Sequence, residues 1–131
     1  MAGHIKINVE KLEVQVINTK INSKIFEEFQ KKLKQQNISM NVVIETFARQ
    51  YANGRYDLNE EDILKWKDDN GEVSILNTPI NKDVYYQFKY KVKADGYFVR
   101  HILSAFIEDY GKSEIVLELI KGKTQTALRG W

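Results

Sequence analysis

One stretch of this chain occurs twice, and no other feature restricts its fold as much. Residues 14–51 align with residues 73–110 at a constant offset of 59 without a gap. Val14, Asn18, Thr19, Ile21, Asn22, Phe29, Lys32, Lys34, Phe47 and Tyr51 recur unchanged as Val73, Asn77, Thr78, Ile80, Asn81, Phe88, Lys91, Lys93, Phe106 and Tyr110. Conservative pairs such as Val16 with Ile75, Ile25 with Val84, Leu33 with Val92, Ile38 with Tyr97 and Ile44 with Leu103 carry the apolar pattern along with them. The working premise is two copies of one structural unit. The whole chain has 131 residues, and a copy of this length is too short to bury a sufficient core alone, so each unit needs a partner.

Bulk properties narrow the class. There is no cysteine, which removes disulfides and thiolate metal sites and suits a reducing compartment. The longest apolar runs fall far short of a membrane span and the N-terminus lacks a signal-peptide pattern, so the expectation is a soluble cytoplasmic protein with no membrane partner. The formal charge of +2 conceals an uneven distribution. Residues 1–54 carry eight Lys/Arg and five Asp/Glu, residues 55–72 three and seven, and residues 73–131 nine and six. An acidic connector thus separates two mildly basic units, whose excess is also what ordinary solvated surfaces show.

From His4 the pattern HIKINVEK alternates and suits an extended arm, with Ile5, Ile7 and Val9 on one side. Residues 12–21, rich in β-branched side chains, read as a strand that places Ile17, Thr19 and Ile21 on one face and Val16, Asn18 and Lys20 on the other. Asn22 and Ser23 offer caps for an amphipathic helix over residues 22–36, whose stripe is Ile25, Phe26, Phe29 and Leu33. After a short break Ser39 is a fitting N-cap for a second helix through Tyr51, with Met40, Val43, Ile44, Phe47 and Tyr51 as its stripe and Asn53-Gly54 as its stop.

In the connector, Asn59 with Asp62 starts a short helix holding Ile63, Leu64 and Trp66 before Asp69-Asn70-Gly71 ends it. Trp66 either staples the two units together or stacks on a ligand. The second copy then repeats the plan, with a strand over residues 73–80, a helix over 81–94, a turn at Asp95-Gly96 and a helix over 98–110 stopped by Gly111. Pro79 stands at the position of Lys20 and must lie where the strand ladder needs no N–H. Phe98 stands at the position of Ser39, so the capping hydroxyl is lost. Tyr85, Tyr86 and Tyr90 add aromatic surface that serves packing or recognition. Residues 113–121 suit a short helix or a strand equally, and the following tail carries Leu128 and Trp131 as docking candidates. The expected organisation is therefore an arm and first unit over 1–54, a linker over 55–72, a second unit over 73–111 and an extension over 112–131.

One amphipathic strand and two short helices cannot close a core, but two such sets can. Antiparallel pairing of the strands, with four helices beneath, would join Ile17 and Ile21 to Leu76 and Ile80 over a shared interior. This arrangement resembles the ribbon-helix-helix family of the Arc and MetJ type, β-ribbon readers of DNA. The resemblance covers residues 16–51 and 75–110 and is carried by the strand VINTKI, the spacing of Ile25, Phe29 and Leu33, and the helix start NISMNVVI with Ser39, Asn41 and Ile44. It implies a mainly α fold with short β-ribbons, a tandem ribbon-helix-helix in which the halves form a within-chain pseudo-dimer, or else pair between chains by self-association.

In that family the outward side chains of the ribbon enter the major groove and the N-terminus of the second helix clamps a phosphate. Residue by residue, the resemblance implies ribbon readers Val16, Asn18, Lys20, Ile75 and Asn77. Asn can bond adenine at two points, Lys can reach guanine acceptors or a phosphate, and Val or Ile can touch a thymine methyl. The competing account of the Asn18 and Asn77 pair is turn preference at a strand end. The implied clamp uses N–H groups at Ser39, Met40 and Asn41 and, in the second copy, at Phe98, Val99 and Arg100, the last adding charge. An 18-residue connector spans up to roughly 60 Å, which permits pairing within the chain.

Two other classes compete. An enzyme has little to build on: His4 and His101 have no carboxylate at a useful spacing, and there is no phosphate-cradling glycine loop, metal spacing or nucleophile elbow. The expectation is a non-enzyme without cofactor or metal. A protein-interaction scaffold is favoured, for the second copy in particular, by the weak net charge, Pro79 and Phe98, and an antitoxin-like autorepressor with a degenerate second repeat is kept beside it although the chain lacks an obvious toxin-binding tail. The leading expectation is sequence-specific binding of double-stranded DNA, as a plasmid-type regulator or transfer-origin accessory protein, a setting that rests on analogy alone.

Overall fold

The computed structural model describes residues 13–112, a mostly helical body with a single two-stranded sheet among those residues. The N-terminal arm, Leu12 at the expected strand start, residues 113–121 and the tail with Leu128 and Trp131 lie outside the described residues. Strand β1 (Val14–Asn22) leads into helix α1 (Ser23–Gln36) and helix α2 (Met40–Ala52). A short helix α3 (Glu60–Leu64) continues into a 3-10 turn (Lys65–Asp68). Strand β2 (Val73–Asn81), helix α4 (Lys82–Ala94) and helix α5 (Val99–Lys112) complete the described chain.

The strands pair antiparallel within the chain, and their register sets Asn18 opposite Asn77, Val16 opposite Pro79 and Lys20 opposite Ile75. Each strand therefore meets the other about the residue that the repeat itself matches. Two bonds close the ends of the ladder, from Lys82 N–H to the Glu13 carbonyl at 3.2 Å and from Ser23 N–H to the Glu72 carbonyl at 2.8 Å. Both join register partners, and antiparallel alternation then puts the hydrogen-bonded pairs at the inward positions and leaves the outward pairs unbonded. Pro79 belongs to an outward pair, so its missing N–H costs the ladder nothing.

The inward row of Ile17, Ile21, Leu76 and Ile80 is buried, with Thr78 beside it, over helix stripes that match the expected residues. Helix α1 packs on α5 and α2 on α4, so the first helix of each copy lies against the second helix of the other. This exchange explains why particular side chains recur. Phe47 stacks on Phe106, its own counterpart, with ring centroids 4.0 Å apart, and Phe29 and Phe88 meet this pair edge-on. The Tyr51 hydroxyl donates to Asp95 at 2.7 Å while Tyr110 donates to Gln36, the position that matches Asp95. Asn22 and Asn81 both cap, their Oδ1 atoms accepting from Ile25 N–H and Val84 N–H respectively.

Several local expectations need correcting. The strands run to Asn22 and Asn81, and the helices begin one residue later, because each Asn closes the strand while its side chain caps the helix. Gly111 does not stop the last helix but lies inside it, where an added Cβ would come within 3.4 Å of Glu28 Cβ. The residue thus marks a close approach of α5 to α1. Ser39 occupies the N-cap position of α2, yet its side chain makes no capping bond, and neither does that of Asn59 before α3. Leu64 is exposed while Ile63 is buried and Trp66 is half-buried against the core.

The connector does more than span a distance. Tyr56 sits edge-on to both Phe47 and Phe106, at 5.0 and 5.6 Å, and its hydroxyl donates to Asp109. Lys65 pairs with Glu108 at 2.7 Å, which ties the 3-10 turn to α5. These contacts bind the connector to both copies, through Phe47 in the first and Phe106, Glu108 and Asp109 in the second. No helix among the described residues is long and apolar enough to cross a membrane.

Candidate nucleic-acid interface

Alternation along two strands brings the five expected ribbon residues onto one uncovered face. Val16, Asn18, Lys20, Ile75 and Asn77 are all exposed, Val16 at 45% and Ile75 at 53%, with Val14 and Val73 extending the row. Across the ribbon these residues form three cross-strand pairs, Val16 with Pro79, Asn18 with Asn77 and Lys20 with Ile75. Unbonded antiparallel pairs hold their side chains closer than bonded ones, so the row is compact. Two amide side chains at its centre offer donors and acceptors, a lysine stands to one side, and apolar groups flank them.

The expected clamp residues lie at the two ends of the ribbon. Ser39 and Asn41 are exposed and Met40 half-buried at the start of α2; Arg100 is exposed and Val99 half-buried at the start of α5. The first N–H groups of each helix have no intrahelical partner, and the positive end of the helix dipole adds to their attraction for an anion. Because the Ser39 hydroxyl caps nothing, its replacement by Phe98 in the second copy removes no bond that the first copy has. The two helix starts are thus alike in backbone terms and unlike in charge.

At the α5 end Arg100 lines a cavity of about 90 Å³ together with Lys20 from β1 and Lys67 from the 3-10 turn. His101 forms part of the same wall and is buried at 5% exposure. Burial, with the charges of Arg100 and Lys67 behind it, pushes the His101 pKa below its ordinary value. At the α2 end the matching positions hold Pro79, Asn41 and Val42, and Glu45 there accepts from Asn81 N–H at 2.7 Å and pairs with Arg49. Three cationic side chains thus gather around one carboxylate, Asp69, at the α5 end, whereas the α2-end positions that match Lys20 and Arg100 are uncharged.

Sequence reasoning located the ribbon row and both helix starts, but it did not bring Lys67 or Trp66 to the site. Their placement depends on how the connector folds back, for which the chain gives no periodic signal. No family model, curated protein or solved structure matches this chain.

Proposed function

We propose that the chain binds double-stranded DNA in a sequence-specific manner, as a tandem ribbon-helix-helix protein whose halves form a pseudo-dimer within one chain. One observation carries this reading: the outward face of the ribbon is left uncovered by the described residues and presents Asn18 and Asn77 at its centre among apolar neighbours. A major groove about 12 Å wide admits a two-stranded ribbon, and Asn is suited to two-point bonding of adenine while Val and Ile suit thymine methyls. The helix starts at Ser39, Met40 and Asn41 and at Val99 and Arg100 would seat flanking phosphates and fix the register without reading sequence.

Selection from a random duplex library followed by a gel shift over a salt series tests the proposal. A selected duplex should bind at low salt and lose affinity log-linearly as salt rises, since phosphate contacts release counterions. Absence of binding to every duplex at low salt would sink it. The scaffold reading would then lead, and a specific feature favours it: Tyr90 is 77% exposed and Phe98 66%, apolar surface that the first copy does not present at the matching Lys31 and Ser39.

A further inference from the structure

The cavity at the α5 end is bounded in part by side chains that the connector supplies, Trp66, Lys67 and Asp69. Lys20, Lys67 and Arg100 oppose a single carboxylate in its wall, Asp69, which is engaged by the Asn22 side-chain amide at 3.2 and 3.3 Å. Two further wall residues, Trp66 and His101, have buried ring nitrogens, Trp66 Nε1 and His101 Nε2, with no hydrogen-bond partner among the described residues. An indole N–H is a donor only, and a buried donor without a partner is costly, so Trp66 Nε1 calls for an acceptor, and His101 in the tautomer that carries its proton on Nε2 would add a second donor. The volume is several times what one water needs.

We propose that this cavity is a phosphate-type oxyanion site, with Lys20, Lys67 and Arg100 supplying charge and Trp66 Nε1 and His101 Nε2 supplying hydrogen bonds. On a bound duplex it takes one backbone phosphate, at one end of the ribbon only. This second statement rests on the DNA-binding reading; the first does not. The side-chain donors distinguish the site from a helix start, where backbone N–H groups alone face the anion. Burial is the larger cause of the depressed His101 pKa, and the charges of Arg100 and Lys67 beside the cavity add to it.

The chain has two tryptophans, so the indole N–H resonance of Trp66 is assignable with a Trp66→Phe variant. Inorganic phosphate, titrated at constant ionic strength against chloride, should shift that resonance saturably, and Lys67→Ala should weaken the response. In the duplex arm, Lys67→Ala should lower the slope of log affinity against log salt by about 1 and remove footprint protection on one half of the site only. A phosphate shift with an unchanged salt slope would overturn the duplex statement and leave a site for free phosphate. A phosphate shift in a protein that binds no duplex would overturn the DNA reading but support the cavity. No shift with phosphate, together with a wild-type slope and footprint in Lys67→Ala, would overturn the site itself.

Discussion

Asn18 and Asn77 face each other across the centre of the ribbon, each exposed and each free of any ladder bond of its own pair. Removing one amide therefore spares the fold and, under the proposed function, touches recognition. Asn18→Ala should weaken binding to a selected duplex by about 1 to 3 kcal/mol and relax preference at one base position, with an unchanged unfolding midpoint. Competition gel shifts and a thermal melt measure both halves of that statement. His101 is the opposite case, a buried ring at a position where the first copy has Val42. Its pKa is lower in the folded chain than in the unfolded one, so above about pH 6.5 both states hold it neutral and it adds no pH dependence. As pH falls below that value the unfolded state takes up the proton first and stability declines until the folded-state pKa is passed. His101→Val should flatten the fall in stability as pH drops below about 6.5, measured by denaturant unfolding over a pH series.

At the scale of elements, capping separates helices that look alike in sequence. Asn81 accepts from Val84 N–H at 3.1 Å, whereas the Ser39 side chain makes no such bond. Asn81→Ala should cost about 1 kcal/mol, and Ser39→Ala no more than a few tenths, in urea unfolding. The asymmetry also shows what could be read from the chain and what could not. The strands, the four long helices and the ribbon row follow from period-2 and period-3.6 patterns that a repeat presents twice. The interior position of Gly111 does not, because a glycine near a helix end reads as a stop until its contact with Glu28 on another helix is known. Trp66 was legible as an aromatic residue in a polar stretch, but the role of Tyr56 was not, because Phe106 and Asp109, which it meets together with Phe47, lie on a helix distant in sequence. The recurrence of Phe47 as Phe106 pointed to shared packing; that the two stack on each other emerged only from the fold.

For the whole molecule, both partners of the ribbon and of each helix exchange belong to one chain. Folding is then unimolecular, and the unfolding midpoint should not move over a hundredfold dilution, as it must for a core built between chains. A midpoint that falls with dilution, or a dimer by sedimentation at the lowest measurable concentration, would contradict this. Joining the halves has also released them from identity: a substitution in a symmetric dimer strikes both ends, while here Pro79 and Lys20, or Val42 and His101, differ freely. The ladder carries this latitude further. Since the bonds that hold the strands in register run through the inward residues, the exposed row contributes side chains without contributing amides to that bonding. Its positions can be rewritten one at a time, proline included, while the scaffold beneath stays put, which makes the face a replaceable keypad on a fixed frame.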